Sequence, residues 1–211
     1  MKLNKVEMYG FKSFAARTEF VIGDGITGIV GPNGCGKSNL VDAIQWALGE
    51  QRPTRLRSSG MEDVVFRGDA ASVTHAEVSL TFDNSDQRLP HPAPEVKITR
   101  RLQRGAGESE YLINDSNARL KEVRDLFLDT GLGVGGYSFM AQGQIDAILR
   151  ASPPERRVLI EEAAGTSRYR VRRKEAVRRL DRTEQDIQRA SDLLAELERC
   201  LLYTSPSPRD S

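Results

Sequence analysis

The segment GPNGCGKSN, residues 31–39, combines three glycines with a lysine and a serine at the spacing of a phosphate-binding loop. Glycines let backbone N–H groups converge on phosphate oxygens, because no Cβ stands in the way. Lys37 is expected to reach the β- and γ-phosphates of a nucleotide, and the Ser38 hydroxyl to bind Mg²⁺. The predicted nucleotide-binding residues are Gly31, Pro32, Asn33, Gly34, Cys35, Gly36, Lys37, Ser38 and Asn39.

The elements on either side of this loop are predicted from apolar spacing. Residues 20–30 are predicted as a strand that ends at the loop, and residues 2–9 as an earlier strand. Residues 38–49 have helical apolar spacing and stop at Gly49. A strand before the loop and a helix after it favour a P-loop over the alternative, a glycine turn without a ligand.

Three later segments, AEVSLTF, VKITR and YLIND, alternate apolar and polar residues. They predict an antiparallel layer over residues 76–115, interrupted by the loop DNSDQRLPHPAPE. Helices are predicted at 120–129 and 153–164. The fold class is therefore α/β.

A long helix is predicted after the compact part of the chain. The pattern changes from Arg168 onward, and the residues from Leu180 to Leu201 form a seam at alternating spacings of three and four. Such a seam is typical of a coiled coil, although packing of an amphipathic helix on a domain is an alternative. We predict a compact lobe over 1–165 and the start of a coiled coil over 166–199. Residues 200–211 contain proline and serine and break the repeat, so we treat them as a non-native tail.

Composition limits the class of protein. The chain has 211 residues, a net charge of +1, and 38% hydrophobic and 29% charged residues, which suits one core with an appendage. No segment resembles a signal peptide or a membrane span. Cys35 lies inside the loop, so no disulfide framework is expected, and we predict a cytoplasmic protein. His75 and His91 lack spaced partners, which gives no support to a transition-metal site.

Several words of the sequence, taken in order, resemble the N-terminal head of bacterial structural maintenance of chromosomes (SMC) proteins, from residue 2 to about residue 199. They are GFKSF, GPNGCGKSNLVDAIQWALGEQ, LRSSGMEDVVFRG, DLFLDTGLG, YSFMAQGQID and RRVLIEEAAGTSRYRVRRKEA. The resemblance implies an ABC-type P-loop ATPase head lobe with a mixed sheet, which uses ATP and Mg²⁺. It also implies a C-terminal head segment that completes the lobe, and a nucleoid-associated role in chromosome condensation and segregation.

The resemblance further implies partners. Two heads are clamped together by ATP in a homodimer that is also joined at a hinge. A kleisin-type subunit binds the head, and double-stranded DNA is handled without sequence preference.

Roles for particular residues follow from the resemblance. Gln142 matches the glutamine expected to bind Mg²⁺ and sense the γ-phosphate, and its alternative is a surface residue in a loop. Arg57 matches an arginine placed near the nucleotide, whereas read alone it is an exposed cation. Lys12 and Ser13 are also expected to approach the nucleotide. Gln142, Arg57 and Lys37 are the candidate catalytic residues.

The segment VLIEE, residues 158–162, looks like a Walker B strand but follows SPPERR, a context that predicts a helix. By the family pattern, the Walker B carboxylates and the LSGG-type signature lie in the C-terminal half. We therefore expect this chain to bind nucleotide with half of an active site and to be inactive by itself.

The basic segment, residues 165–182, holds eight basic and two acidic residues. It is either a solvated helix face or a surface that contacts DNA phosphates without sequence preference. Arg119 and Lys121 are further DNA candidates by resemblance. The candidates in the basic segment are Arg172, Arg173, Arg178 and Arg179.

The phosphate-binding loop is also compatible with two other functions. A recombination and repair ATPase of the RecF or RecN kind shares the loop sequence, but the word EEAAG followed directly by a coiled coil favours SMC. A small-molecule P-loop kinase leaves the coiled coil without a purpose.

Overall fold

The computed structural model describes residues 1–68, 73–128, 130, 132, 139, 151–163 and 167–204. The chain divides into two compact units, Met1–Thr166 and Ser167–Ser211. The first unit is built on a sheet and the second on one long helix.

The sheet of the first unit has six strands in the order β2-β1-β3-β4-β5-β6, and every pair is antiparallel. The predicted antiparallel layer is confirmed. Among the described residues, the predicted mixed sheet is represented by antiparallel pairs. The strands are β1 (Lys2–Tyr9), β2 (Thr18–Val21), β3 (His75–Asp83), β4 (Glu95–Gln103), β5 (Glu110–Ile113) and β6 (Ser116–Ala118).

Alternation along the strands explains which face of the sheet is buried. Val78 and Leu80 of β3 and Ile98 of β4 lie on one face and are fully buried. Helix α1 (Lys37–Ala47) packs on this face through Trp46, whose ring lies 5.3 Å from that of Phe11. Burying this apolar face fixes the position of α1, and therefore of the loop that precedes it.

Arg100 of β4 shares the buried face and holds the carboxyl end of α1. Its Nη1 donates to the carbonyls of Trp46 and Glu50, each at 2.8 Å, and its guanidinium lies over the rings of Trp46 and Tyr111. Burial lowers the pKa of Arg100 to about 10. Arg124 donates to the carbonyl of Gly49 at 2.9 Å. Two cations thus stabilise the negative end of the helix that carries the loop at its other end.

The remaining helices of the first unit agree with the sequence predictions. Helix α2 covers Leu120–Leu126 and helix α3 covers Pro153–Ala163. Two short 3₁₀ helices, Pro53–Leu56 and Met61–Val64, follow α1. The segment VLIEE lies inside α3 and Arg157 pairs with Glu161 at 2.7 Å within that helix, so the expectation of a helix here, rather than a Walker B strand, is confirmed.

The predicted strand over residues 20–30 is largely wrong. Strand β2 ends at Val21, Ile22 N still donates to the carbonyl of Asn4 at 2.8 Å, and residues 23–30 have no strand pairing among the described residues. Ile26 and Val30 are almost fully exposed to solvent. A continuous apolar run is typical of a strand that other elements cover on both faces. Where no element covers the run, an extended conformation buries no apolar surface and is not stabilised.

The second unit is formed by α4 (Ser167–Thr204), a helix of 38 residues that is about 57 Å long. It extends beyond the predicted end near residue 199, because the first helix breaker is Pro206. Within this unit the apolar seam is exposed, including Leu180, Ile187, Leu194 and Leu197. No helix among the described residues is long and apolar enough to cross a membrane.

Candidate nucleotide site

The loop of residues 31–36 leads directly into the first turn of α1. Gly36 is the N-terminal cap of the helix at φ +95°, and no side chain caps the helix there. Gly34 also has a left-handed backbone, at φ +84°. No side chain therefore competes with an anion for the N–H groups at this end of the helix.

Gly36 is also required by space. A Cβ on this residue would lie 2.7 Å from Ser13 Oγ and 3.2 Å from the ring of Phe14. A Cβ on Gly31 would lie 2.8 Å from Cys35 Sγ. A side chain at Gly31 or Gly36 would therefore displace neighbouring side chains, which fits a loop whose backbone approaches phosphate groups closely.

Lys37 is folded back onto the loop. Its Nζ donates to the carbonyls of Gly31 and Pro32, each at 2.6 Å, and lies 3.7 Å from Cys35 Sγ. The ammonium group thus already lies against the backbone of the loop. A phosphate group would replace two neutral acceptors with charged ones, which form stronger hydrogen bonds.

A turn after β1 lies against the loop and brings Ser13 to it. Phe11 and Phe14 exchange backbone hydrogen bonds that close this turn, and Lys12 N donates to the carbonyl of Val64 at 2.7 Å. Asn39 Nδ2 donates to Ser13 Oγ at 2.9 Å. Ser13 is therefore next to the first turn of α1.

Lys12 and Arg57 meet at a carboxylate that the sequence analysis did not assign to the site. Lys12 Nζ and Arg57 Nη2 each lie 2.6 Å from Asp42 Oδ2. Lys12 also donates to the carbonyl of Leu56. The only signal in the sequence was the position of Asp42 on the loop helix, four residues after Ser38 and so on the same face.

The other predicted residues fall into three groups. Ser38 is exposed at the start of α1, whereas Gln142 lies outside the described residues. Arg119 and Lys121 are exposed at the start of α2. The arginines of the basic segment, Arg172, Arg173, Arg178 and Arg179, are exposed on α4 in the second unit. By contrast, Lys12, Ser13 and Arg57 all contact side chains of the loop helix α1.

Comparison with known proteins gives the family. A model of the RecF/RecN/SMC N-terminal domain matches residues 2–146. A protein of Desulfitobacterium hafniense called "Chromosome partition protein Smc" is 50% identical over 198 residues, which are 93% of this chain and 16% of that protein. This chain therefore spans about a sixth of the length of that relative.

Solved structures give the same result. One, described as "Structural biochemistry of ATP-driven dimerization and DNA stimulated activation of SMC ATPases", is 34% identical with a TM-score of 0.68, and the match covers 77% of this chain and 99% of the other. A Pyrococcus furiosus Smc head domain, with an extended coiled coil and bound to the C-terminal domain of ScpA, is 33% identical with a TM-score of 0.73 over 94% of this chain and 50% of that one.

The sheet and the loop helix are elements of an ABC-type head lobe, and the long helix of the second unit follows it in the sequence. The chain belongs to the SMC family, within the RecF/RecN/SMC N-terminal domain family. The relatives just described are SMC proteins, which disfavours the RecF or RecN alternative.

Proposed function

We propose that this chain binds ATP with Mg²⁺ and supplies the nucleotide-binding part of an SMC head. The observation that carries the proposal is the contact of Lys37 Nζ with the backbone of the glycine loop, at the start of a helix that no side chain caps. Lys37 would hold the β- and γ-phosphates, and Ser38 and Gln142 would hold the metal ion, which neutralises phosphate charge during transfer. Lys12, Ser13 and Arg57 would contribute from the neighbouring segments.

We infer that the head is completed by a C-terminal head segment. Ile26, Ile29 and Val30 are exposed immediately before the loop, which is consistent with an apolar segment that a further part of the head covers. By the family pattern, that segment supplies the carboxylate that orients water and the LSGG-type signature that closes a second head. We therefore expect this chain alone to be inactive. We call the mixture of this chain with the C-terminal head segment of the Desulfitobacterium hafniense relative the assembled head.

The wider role that we propose is ATP-driven DNA handling during chromosome condensation and segregation, in the cytoplasm and on the nucleoid. Residues 1–165 would be the head lobe, 166–199 the start of the coiled coil and 200–211 a non-native tail. The exposed seam of α4 is consistent with a partner helix. ATP-clamped heads and a hinge would join two copies, and a kleisin-type subunit would bind the head, as ScpA does in the Pyrococcus furiosus structure.

Cys35 allows nucleotide binding to be tested at the loop itself. The residue is exposed, and its Sγ lies 3.7 Å from Lys37 Nζ. A nucleotide in the loop would cover this thiol. We expect saturating Mg-ATP to slow the alkylation of Cys35 in the assembled head by about tenfold or more, because a site occupied at 100 times its Kd is open only about 1% of the time. The rate is measured by peptide mass spectrometry.

Cys200 is the matched control, because it is also exposed but lies on α4 in the second unit. Its alkylation rate should not change with Mg-ATP, and Lys37→Ala should remove the protection of Cys35. Alkylation of Cys35 at one rate with and without Mg-ATP would contradict the proposed site.

A further inference from the structure

Asp42 is a buried acid with two cationic partners. Its carboxylate is 5% exposed, and the same oxygen, Oδ2, accepts from Lys12 Nζ and Arg57 Nη2 at 2.6 Å each. A buried carboxylate without a counterion is strongly destabilising, so at least one of these cations must stay. Two cations on one oxygen are more than charge neutrality requires.

The three residues come from three separate segments. Lys12 lies in the turn after β1, Asp42 lies on α1, and Arg57 ends the 3₁₀ helix Pro53–Leu56. Lys12 and Arg57 both have left-handed backbones, at φ +48° and +50°, which non-glycine residues seldom adopt. Such conformations persist only where their surroundings hold them, and they concentrate at functional sites. Asp42 is the contact that the two strained residues share.

The two cations are not equivalent. The Lys12 side chain is 11% exposed and also donates to the carbonyl of Leu56. The Arg57 side chain is 52% exposed, and Nη2 is the atom that contacts Asp42. If Arg57 leaves, Asp42 keeps Lys12 as its counterion. If Lys12 is removed, Arg57 is the cation that remains on the buried carboxylate.

Arg57 is held close to the phosphate loop. Asp42 follows Ser38 by four residues on α1, so the two side chains share a face and are separated by about one helical turn, roughly 5.4 Å. A guanidinium group binds phosphate oxygens more strongly than it binds one oxygen of an already neutralised carboxylate, because two N–H groups can donate in parallel.

We propose that Asp42 is a positioning residue for nucleotide binding. Before nucleotide binds, it holds Arg57 beside the phosphate loop. When nucleotide binds, Arg57 moves from Asp42 to a phosphate oxygen, and Lys12 keeps the buried carboxylate neutralised. The inference rests on the proposed function and adds to it a residue that orients Arg57 without touching the nucleotide.

A double-mutant cycle on the assembled head tests the coupling, with a fluorescent ATP analogue in the presence of Mg²⁺ as the probe. Arg57→Ala is expected to weaken binding by about tenfold, the value of one charge-assisted hydrogen bond of about 1.5 kcal/mol. In the Asp42→Asn background, Arg57 is no longer held in place, and Arg57→Ala should weaken binding by less than about threefold. An equal effect of Arg57→Ala in both backgrounds would overturn the inference.

Asp63→Asn is the matched control for damage to the segment that carries Arg57. Asp63 accepts from the backbone N–H groups of Ser59 and Gly60 at 3.0 and 2.8 Å and pairs with Arg67. Arg57→Ala should keep its full tenfold effect in the Asp63→Asn background. If Asp63→Asn reduced that effect as much as Asp42→Asn does, Asp42 would be a structural residue only.

A second cycle applies if Asp42→Asn does not fold, as judged by thermal unfolding. In the Lys12→Met background, Arg57 becomes the counterion of Asp42, so it cannot leave for the nucleotide. Arg57→Lys keeps a cation beside the buried carboxylate but loses the two parallel N–H groups, so it should weaken binding severalfold in the wild-type background and have little effect in the Lys12→Met background. An equal effect of Arg57→Lys in both backgrounds would overturn the inference. If Lys37→Ala weakens nucleotide binding but the double-mutant cycle shows no coupling, only this inference is rejected. If Lys37→Ala leaves nucleotide binding unchanged, the proposed function is rejected.

Discussion

Lys37→Ala is expected to weaken Mg-ATP binding by the assembled head by about 10- to 150-fold and to abolish turnover. The estimate corresponds to hydrogen bonds to a charged group worth about 1.5–3 kcal/mol. The Lys37 ammonium already lies 2.6 Å from two loop carbonyls, so it needs little reorganisation to meet phosphate oxygens. Turnover should fall further than affinity, because the transferring phosphoryl group loses a stabilising positive charge.

The matched control is Lys5→Ala. Lys5 lies on β1 and pairs with Glu7 and Glu19 at the surface of the sheet, so its loss should change neither binding nor turnover. Affinity is measured by titration with the fluorescent ATP analogue and turnover by phosphate release. Equal affinities of the wild-type and Lys37→Ala heads would show that the loop does not bind the nucleotide.

Reversal of the charge of Arg172, Arg173, Arg178 and Arg179 to glutamate is expected to weaken duplex DNA binding to a similar extent for every sequence. All four side chains are exposed on α4. The affinity falls as the salt concentration rises. Each phosphate contact that is lost should make the slope of log affinity against log salt less steep by about 0.9, so the loss of four contacts should make it less steep by about 3.6. The slope is measured by fluorescence anisotropy of labelled duplexes at several salt concentrations.

Arg189 and Arg199 provide the control for this charge reversal. Both are exposed on the same helix but lie beyond the basic segment, so Arg189→Glu and Arg199→Glu should leave the salt slope nearly unchanged. An unaltered slope in the fourfold variant would assign the basic segment to a solvated helix face. Arg119 and Lys121 would then remain as the DNA candidates on the head lobe.

The parts of the site that depend on local sequence were predictable. The order of residues 31–39 predicts the loop because its glycines, lysine and serine all lie within one short segment. Helix α1 and strands β3 and β4 followed from their apolar periodicity. The helical context of VLIEE was also predictable, because Pro153 and Pro154 suit the first turn of a helix.

Features that depend on distant partners were not predictable. The apolar run before the loop reads as a strand, but pairing rather than composition makes a strand, and the described residues offer no pair. The alternation in β4 predicts that Arg100 lies on the buried face. Its partners, the carbonyl of Trp46 and the ring of Tyr111, belong to other elements, so the alternation does not predict them. The contacts of Asp42 are with Lys12 and Arg57, which the fold brings from segments on either side of it in the sequence.

The central claim is that this chain supplies the nucleotide-binding half of an SMC active site. Phosphate release by the purified chain, alone and after addition of the C-terminal head segment, tests it most directly. We predict negligible turnover by the chain alone. The mixture should show activity that depends on Lys37 and rises faster than linearly with protein concentration, because two heads must meet. Robust turnover by the chain alone that is lost in Glu161→Gln or Glu162→Gln would contradict this account, because it would show a complete active site within these residues.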